Sequence, residues 1–95
     1  MADIHIETPT SLSPAEVLRK FEEEILPLPE FKMFVSRHEV KGQIVTFGGS
    51  RGVGGRMEAL PGKVVLDLDL SGMAAMMKPT IQSRLEEMLP RLFPA

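Results

Sequence analysis

The residues with the most obvious chemical potential are a glycine-rich run, GGSRGVGG, at positions 48–55 of this 95-residue chain. Such a run could cradle a phosphate, because a phosphate loop turns backbone N–H groups toward the anion and opens a helix. The spacing argues against it. Five residues on from Gly49 stands Gly54, and Gly55 and Arg56 then occupy the places where a phosphate loop needs Lys and Ser or Thr. The dinucleotide fingerprint also fails, since Gly52 and Gly54 are followed by Met57 where the third glycine belongs. The run is read instead as a flexible connection between two strands. A backbone anion nest with Arg51 beside it is the alternative.

His5 and His38 are the two imidazoles. Each falls in a strand pattern without a second ligand at metal spacing, so both are read as sheet-face histidines. Asp67 and Asp69 project to one face of one strand. Paired carboxylates run acid–base chemistry only where a pocket drives their pKa values apart. Here a solvated pair, with Asp67 opposite Arg56, is the simpler reading. The serines Ser11, Ser13, Ser36, Ser50, Ser71 and Ser83 lack the context of a nucleophile elbow. No catalytic, cofactor-binding or metal-binding residue is assigned, and the chain is read as non-enzymatic.

Composition narrows the partners. Cysteine is absent, which removes disulfides, thiolate metal sites and cysteine nucleophiles together. Net charge is −2. Residues 1–40 carry four Lys/Arg against eight Asp/Glu, and residues 41–95 carry seven against five. Neither half is basic enough for nucleic acid. Trp and Tyr are absent and Phe occurs five times, so base stacking is poorly served. Methionine occurs seven times, with Met73, Met76 and Met77 clustered, and methionine suits adaptable apolar contacts. The opening MADIHIETP has neither the basic nor the apolar region of a signal peptide, and no run is long enough to span a bilayer. A cytoplasmic location is expected.

The elements that must position these residues follow from periodicity. A chain of this length makes one domain, 1–95. Ile4 and Ile6 alternate with polar residues, as in a half-buried strand. Ser13-Pro14-Ala15-Glu16 is a capping box with proline at the first helical position. Val17, Leu18, Phe21 and Ile25 then form one apolar stripe, and Pro27 and Pro29 stop the helix near residue 26. Glu22, Glu23 and Glu24 form its solvated face.

Residues 31–39 read as a strand with Phe31, Met33 and Val35 on one face, and 43–48 as another with Val45 and Phe47 facing in. A three-residue loop at Val40–Gly42 is preferred, setting Phe47 against Val35. Pro61-Gly62 fits a type II turn between strands 53–60 and 63–70. It pairs Met57 with Leu66, Ala59 with Val64 and Val53 with Leu70 inside, and Arg56 with Asp67 outside. Met73 to Met77 form a helical turn. A last helix carries Ile81, Leu85, Met88, Leu89 and Leu92, with Pro90 ending or fraying it. Its mixed charges favour core packing over a membrane-surface role. The fold expected is α+β, in the order β-α-β-β-β-β-α: an antiparallel sheet of about five strands with two helices on one face and strand one at an edge.

The opening MADIHI, the segment GVGGRMEALPGKVVLDLDL and the tail KPTIQSRLEEML together resemble the polyhydroxyalkanoic acid system protein family, over nearly the whole chain. The family consists of short bacterial proteins often encoded near polyester granule genes. The resemblance implies an accessory or interaction protein of polyhydroxyalkanoate metabolism at or near granules, and it assigns no reaction. The alternative is a small domain binding an apolar acyl ligand between the sheet and the C-terminal helix. An external apolar patch favours the first and an internal cavity the second. Met73, Met76, Met77, Phe34 and Val65 are the candidate interaction surface, Phe34 and Val65 from the uncovered sheet face. That face, or an unpaired edge, is expected to form a homodimer.

Overall fold

The computed structural model describes residues 3–49 and 52–95, with the backbone alone at Glu30 and Phe34. Strand β1 spans Ile4–Pro9, and the chain enters helix α1 (Pro14–Lys20) through the capping box read from sequence. The Ser13 hydroxyl accepts from the Glu16 amide at 3.2 Å, and the Ser13 amide donates to Glu16 Oε1 at 3.2 Å. Two amides that no helix carbonyl can reach are thereby satisfied. Past Lys20 the helix widens into a π-helical turn, Phe21–Ile25, closed by the Leu26 amide on the Phe21 carbonyl at 2.9 Å. Val17, Phe21 and Ile25 are buried, and Glu22, Glu23 and Glu24 are exposed, as the stripe required.

The next segment corrects the sequence reading. Residues expected to start a strand at 31 form helix α2 (Pro29–Phe34), and strand β2 is limited to Arg37–Lys41. Pro29 occupies the first turn of α2 and so favours a helix start at a position where its missing N–H costs nothing. Phe31 and Val35 are half-buried, whereas Met33, assigned to the same inner face, is 57% exposed. The alternation Phe31, Met33, Val35 is also compatible with a helix that buries positions i and i+4, and short apolar runs do not separate the two periods.

β2 pairs with β3 (Ile44–Gly48) around a two-residue Gly42-Gln43 turn, so Phe47 faces His38 and Val45 faces Val40. The preferred register, with Phe47 opposite Val35, is therefore wrong. Gly42 has φ +60° and stands first in the turn rather than last, which is where a type II′ turn wants glycine. Val45 and Phe47 do face inward and are buried.

β4 (Val53–Leu60) and β5 (Lys63–Leu70) pair in the expected register: Met57 with Leu66, Ala59 with Val64, Val53 with Leu70 and Arg56 with Asp67. Gly62, at φ +86°, takes the turn position that a side chain would strain. The sheet is antiparallel throughout in the order β1-β5-β4-β3-β2, with β1 at one edge as expected and β2 at the other. Every residue of β2 is exposed, and Arg37, Glu39 and Lys41 charge that edge against further pairing.

After Gly72 come helix α3 (Met73–Met76) and helix α4 (Lys78–Leu92). Pro90 does not end α4; the helix runs two residues beyond it. The carbonyl it leaves unbonded belongs to exposed Glu86, which water can reach. The single core joins one sheet face to the helices, α1 lying over β4 and α4 over β1. The α+β architecture is as expected, with the helical layer divided into more segments than the two anticipated.

Candidate functional site

The helices do not close over the sheet. Between them lies a cleft of about 420 Å³. Its floor is the inner sheet face, with Phe47, Met57 and Leu68. One wall carries Phe21 and Ile25 of the π-helical turn together with Phe31 and Met33 of α2. Ile81, Leu85 and Met88 of α4 make the other wall, with Met77 at the rim. The three phenylalanines hold one another: ring centroids of Phe21 and Phe31 are 5.5 Å apart edge to face, and those of Phe31 and Phe47 are 5.5 Å apart and tilted. Such geometry favours a fixed aromatic wall.

α4 is fastened at one end. Leu89 and Phe93 are buried, and the Lys20 ammonium donates to the Leu92 carbonyl at 2.9 Å. The Ser11 amide and the Thr10 hydroxyl both donate to the Pro94 carbonyl, at 2.9 and 3.0 Å. From Lys78 to Met88 no residue of α4 is fully buried, and Ile81, Leu85 and Met88 are half-buried because the cleft lies beneath them. A cleft of this size falls within the range of small-ligand sites, about 300–1,000 Å³, which are characteristically apolar with a few polar groups. Among the described lining side chains the hydrophilic ones are Thr80 and Arg84, one helical turn apart on α4.

The opposite sheet face carries charge instead. His5 donates from Nδ1 to Asp67 and from Nε2 to Glu7 Oε2 at 3.0 Å, and Lys63 donates to Glu7 Oε1 at 2.7 Å. The Asp67 bond, then the Glu7 bond, raise the His5 pKa above its ordinary 6.5. The Lys63 bond, then the His5 bond, lower that of Glu7 to about 2. Arg56 Nε lies 3.9 Å from Asp67 Oδ2. These are mutually neutralised strand side chains on a solvated face. Among the described residues no cluster of three or more His, Asp or Glu could hold a metal ion.

Among the candidate surface residues, Met73 and Met76 are 79% and 83% exposed, beside the buried Ala74 that anchors α3. Met77 is exposed at the cleft rim. Val65 lies half-buried on the outer sheet face, so the structure does not unite it with the methionines. Phe34 ends α2 rather than sitting in a strand, and its side chain lies outside the described residues. Ser50 and Arg51 are also outside them, and with them the anion-nest reading of the glycine run. Of the cleft residues missed from sequence, Phe47 is read there as core and Arg84 as one of the mixed charges of the last helix, and Thr80 carries no reading. The one available signal was Thr80 and Arg84 at spacing i, i+4, on the side of α4 that also carries Ile81 and Leu85.

Fold and cleft together define a small α+β domain with a half-open apolar site. A protein-family model described as "putative polyhydroxyalkanoic acid system protein" matches residues 4–93, and the chain belongs to that family. No curated protein and no solved structure matches it. Among the described residues, no helix is long and apolar enough to cross a membrane.

Proposed function

We propose that this chain is a non-enzymatic accessory protein of polyhydroxyalkanoate metabolism, acting in the cytoplasm at or near polyester granules, and that it takes up apolar acyl groups in the cleft between sheet and α4. The observation that carries the reading is the cleft itself. An apolar hollow under a helix whose fully buried residue, Leu89, lies near its C-terminal end is the kind of site that an acyl-binding module needs. The family supplies the context, since polyhydroxyalkanoates are built from hydroxyacyl units.

An environment-sensitive apolar dye tests the uptake. The dye is expected to bind with enhanced fluorescence and to be displaced by medium-chain acyl compounds. Met77→Glu, at a rim position exposed enough to tolerate a charge, should weaken dye and acyl binding together. A folded protein that gives no fluorescence change overturns this reading.

Met73 and Met76 support a second reading, docking on the granule surface. Two methionines about four-fifths exposed on one short helix form an external apolar patch. Fractionation of a polymer-accumulating host decides it: the protein should move to the granule fraction on polymer induction, and Met73→Ser with Met76→Ser should return it to the supernatant. A wholly soluble distribution, unchanged on induction, refutes docking. The assembly we propose is a homodimer formed through the outer sheet face or a sheet edge. Light scattering showing a monomer mass across a hundredfold dilution would refute it.

A further inference from the structure

Sulfur chemistry in this chain belongs to methionine alone, since cysteine is absent and methionine occurs seven times. The fold sorts those methionines by exposure. Met57 is 1% exposed at the floor of the cleft, whereas Met33, Met77, Met73 and Met76 are 57%, 41%, 79% and 83% exposed. Among the described residues, the large apolar side chains that stand exposed are those four methionines and Val40, with no leucine, isoleucine or phenylalanine. A patch built of leucine would be as apolar and chemically inert. One built of methionine carries thioethers that a peroxide converts to polar sulfoxides. Met73 and Met76 are the extreme case. Spaced i, i+3, they project from one side of α3, while the buried Ala74 holds that helix to the core.

We infer that Met73 and Met76 form a reversible oxidation site that controls docking on the granule surface. The inference rests on the docking reading of α3 and adds a chemical control to it. The co-reactant is hydrogen peroxide. The thioether sulfur attacks one peroxide oxygen, the O–O bond breaks, and the other oxygen leaves as water; the sulfur gives up two electrons and gains an S=O bond. In the thioether form the two side chains lay apolar area against the polyester. In the sulfoxide form each would have to shed the water on its oxygen to make the same contact. Two such groups should weaken docking by about tenfold or more. Reduction by a methionine sulfoxide reductase restores the thioethers and the docked state. The fold is spared, because Met57, the methionine buried in the core, is closed to the reagent.

Co-sedimentation of the full chain with polyhydroxyalkanoate particles, before and after hydrogen peroxide, tests this, with peptide mass spectrometry locating the added oxygen. Met73 and Met76 are expected to oxidise at least about tenfold faster than Met57, with far-ultraviolet circular dichroism unchanged. The oxidised protein should bind the particles about tenfold more weakly and recover after reductase treatment. Met73→Leu with Met76→Leu should dock as the wild type does and ignore peroxide. If the untreated wild type leaves the particles bare, docking is refuted and this inference falls with it. If Met73 and Met76 are oxidised and docking is unchanged, the oxidative control is overturned while docking stands. Loss of docking by the leucine variant after peroxide also overturns it, since oxidation elsewhere would then be responsible. Oxidation of Met57 as fast as Met73 and Met76, or loss of the circular dichroism signal, overturns the site assignment. The wild-type comparison is decisive even if the leucine variant does not fold.

Discussion

Arg56→Ala and Met57→Ala change adjacent residues of β4 whose side chains leave the sheet on opposite sides, so the pair measures the fold's two faces against each other. Arg56 is 53% exposed, and its guanidinium nitrogen stands 3.9 Å from the Asp67 carboxylate. An ion pair so placed gains little in high dielectric and is screened by salt, which limits the loss to about 0.2–1 kcal/mol. Met57 is 1% exposed and faces Leu66 across the strand pair. Truncating it removes buried methylenes and sulfur and enlarges the adjoining cleft, at a cost of about 2–5 kcal/mol. A 95-residue domain has a total stability of roughly 5–14 kcal/mol, so the second change consumes a large share and the first does not. With a urea slope of about 2 kcal/mol per molar, the midpoint should fall by about 1–2.5 M for Met57→Ala and by about 0.1–0.5 M for Arg56→Ala. Met57→Asp would place a carboxylate in that apolar setting and should leave no cooperative transition. Circular dichroism during urea titration reads all three. Equal midpoint shifts for the two alanine variants, or a larger one for Arg56→Ala, would refute the face assignment.

Other perturbations test other parts of the structure. Gly55→Ala would ordinarily help a strand, but an added Cβ would lie 2.3 Å from the Asp67 carbonyl oxygen and 2.8 Å from a Leu68 methyl. Backbone has to move, so a loss of more than about 1 kcal/mol in thermal or urea unfolding is expected, and a gain would contradict the packing. Ser13→Ala should cost about 0.5–2 kcal/mol and let the Glu16 pKa rise, since the Ser13 amide and then its hydroxyl hold it below the ordinary value; NMR titration of Glu16 separates this from simple helix fraying. The raised His5 pKa means that its contribution to stability is full below pH 6.5 and is lost as pH rises through the higher folded value. The lowered Glu7 pKa gives a contribution present above pH 4.5 and lost as pH falls toward 2. Imidazole shifts should show His5 titrating above 6.5 and Asp67→Asn moving it back; titration at or below 6.5 in the wild type would contradict the bridged geometry.

The readings that held in the sequence were those whose signals agree within a few residues of one another. Ser13, Pro14 and Glu16 mark a helix start because capping is settled by side chains reaching amides two or three residues away. Pro61-Gly62 fixed the β4–β5 register because turn type, alternation and the Arg56–Asp67 charges all demanded the same pairing. Where such agreement was lacking, tertiary contacts chose. Phe31, Met33 and Val35 fit a strand or a helix equally, and the outcome lies with the Phe31 ring docking between those of Phe21 and Phe47. The β2–β3 register turned on whether Gly42 stands first or last in its turn, and the apolar pattern, which favoured Phe47 opposite Val35, chose wrongly. Pro90 appeared to stop α4, yet burial of Leu89 and Phe93 on either side of it carries the helix through. The family was legible because it follows order and pattern along the whole chain. The cleft was not: its lining comes from residues as far apart in sequence as Phe21 and Met88, and the space between them exists only because α4 is fastened over β1 while α1 lies over β4.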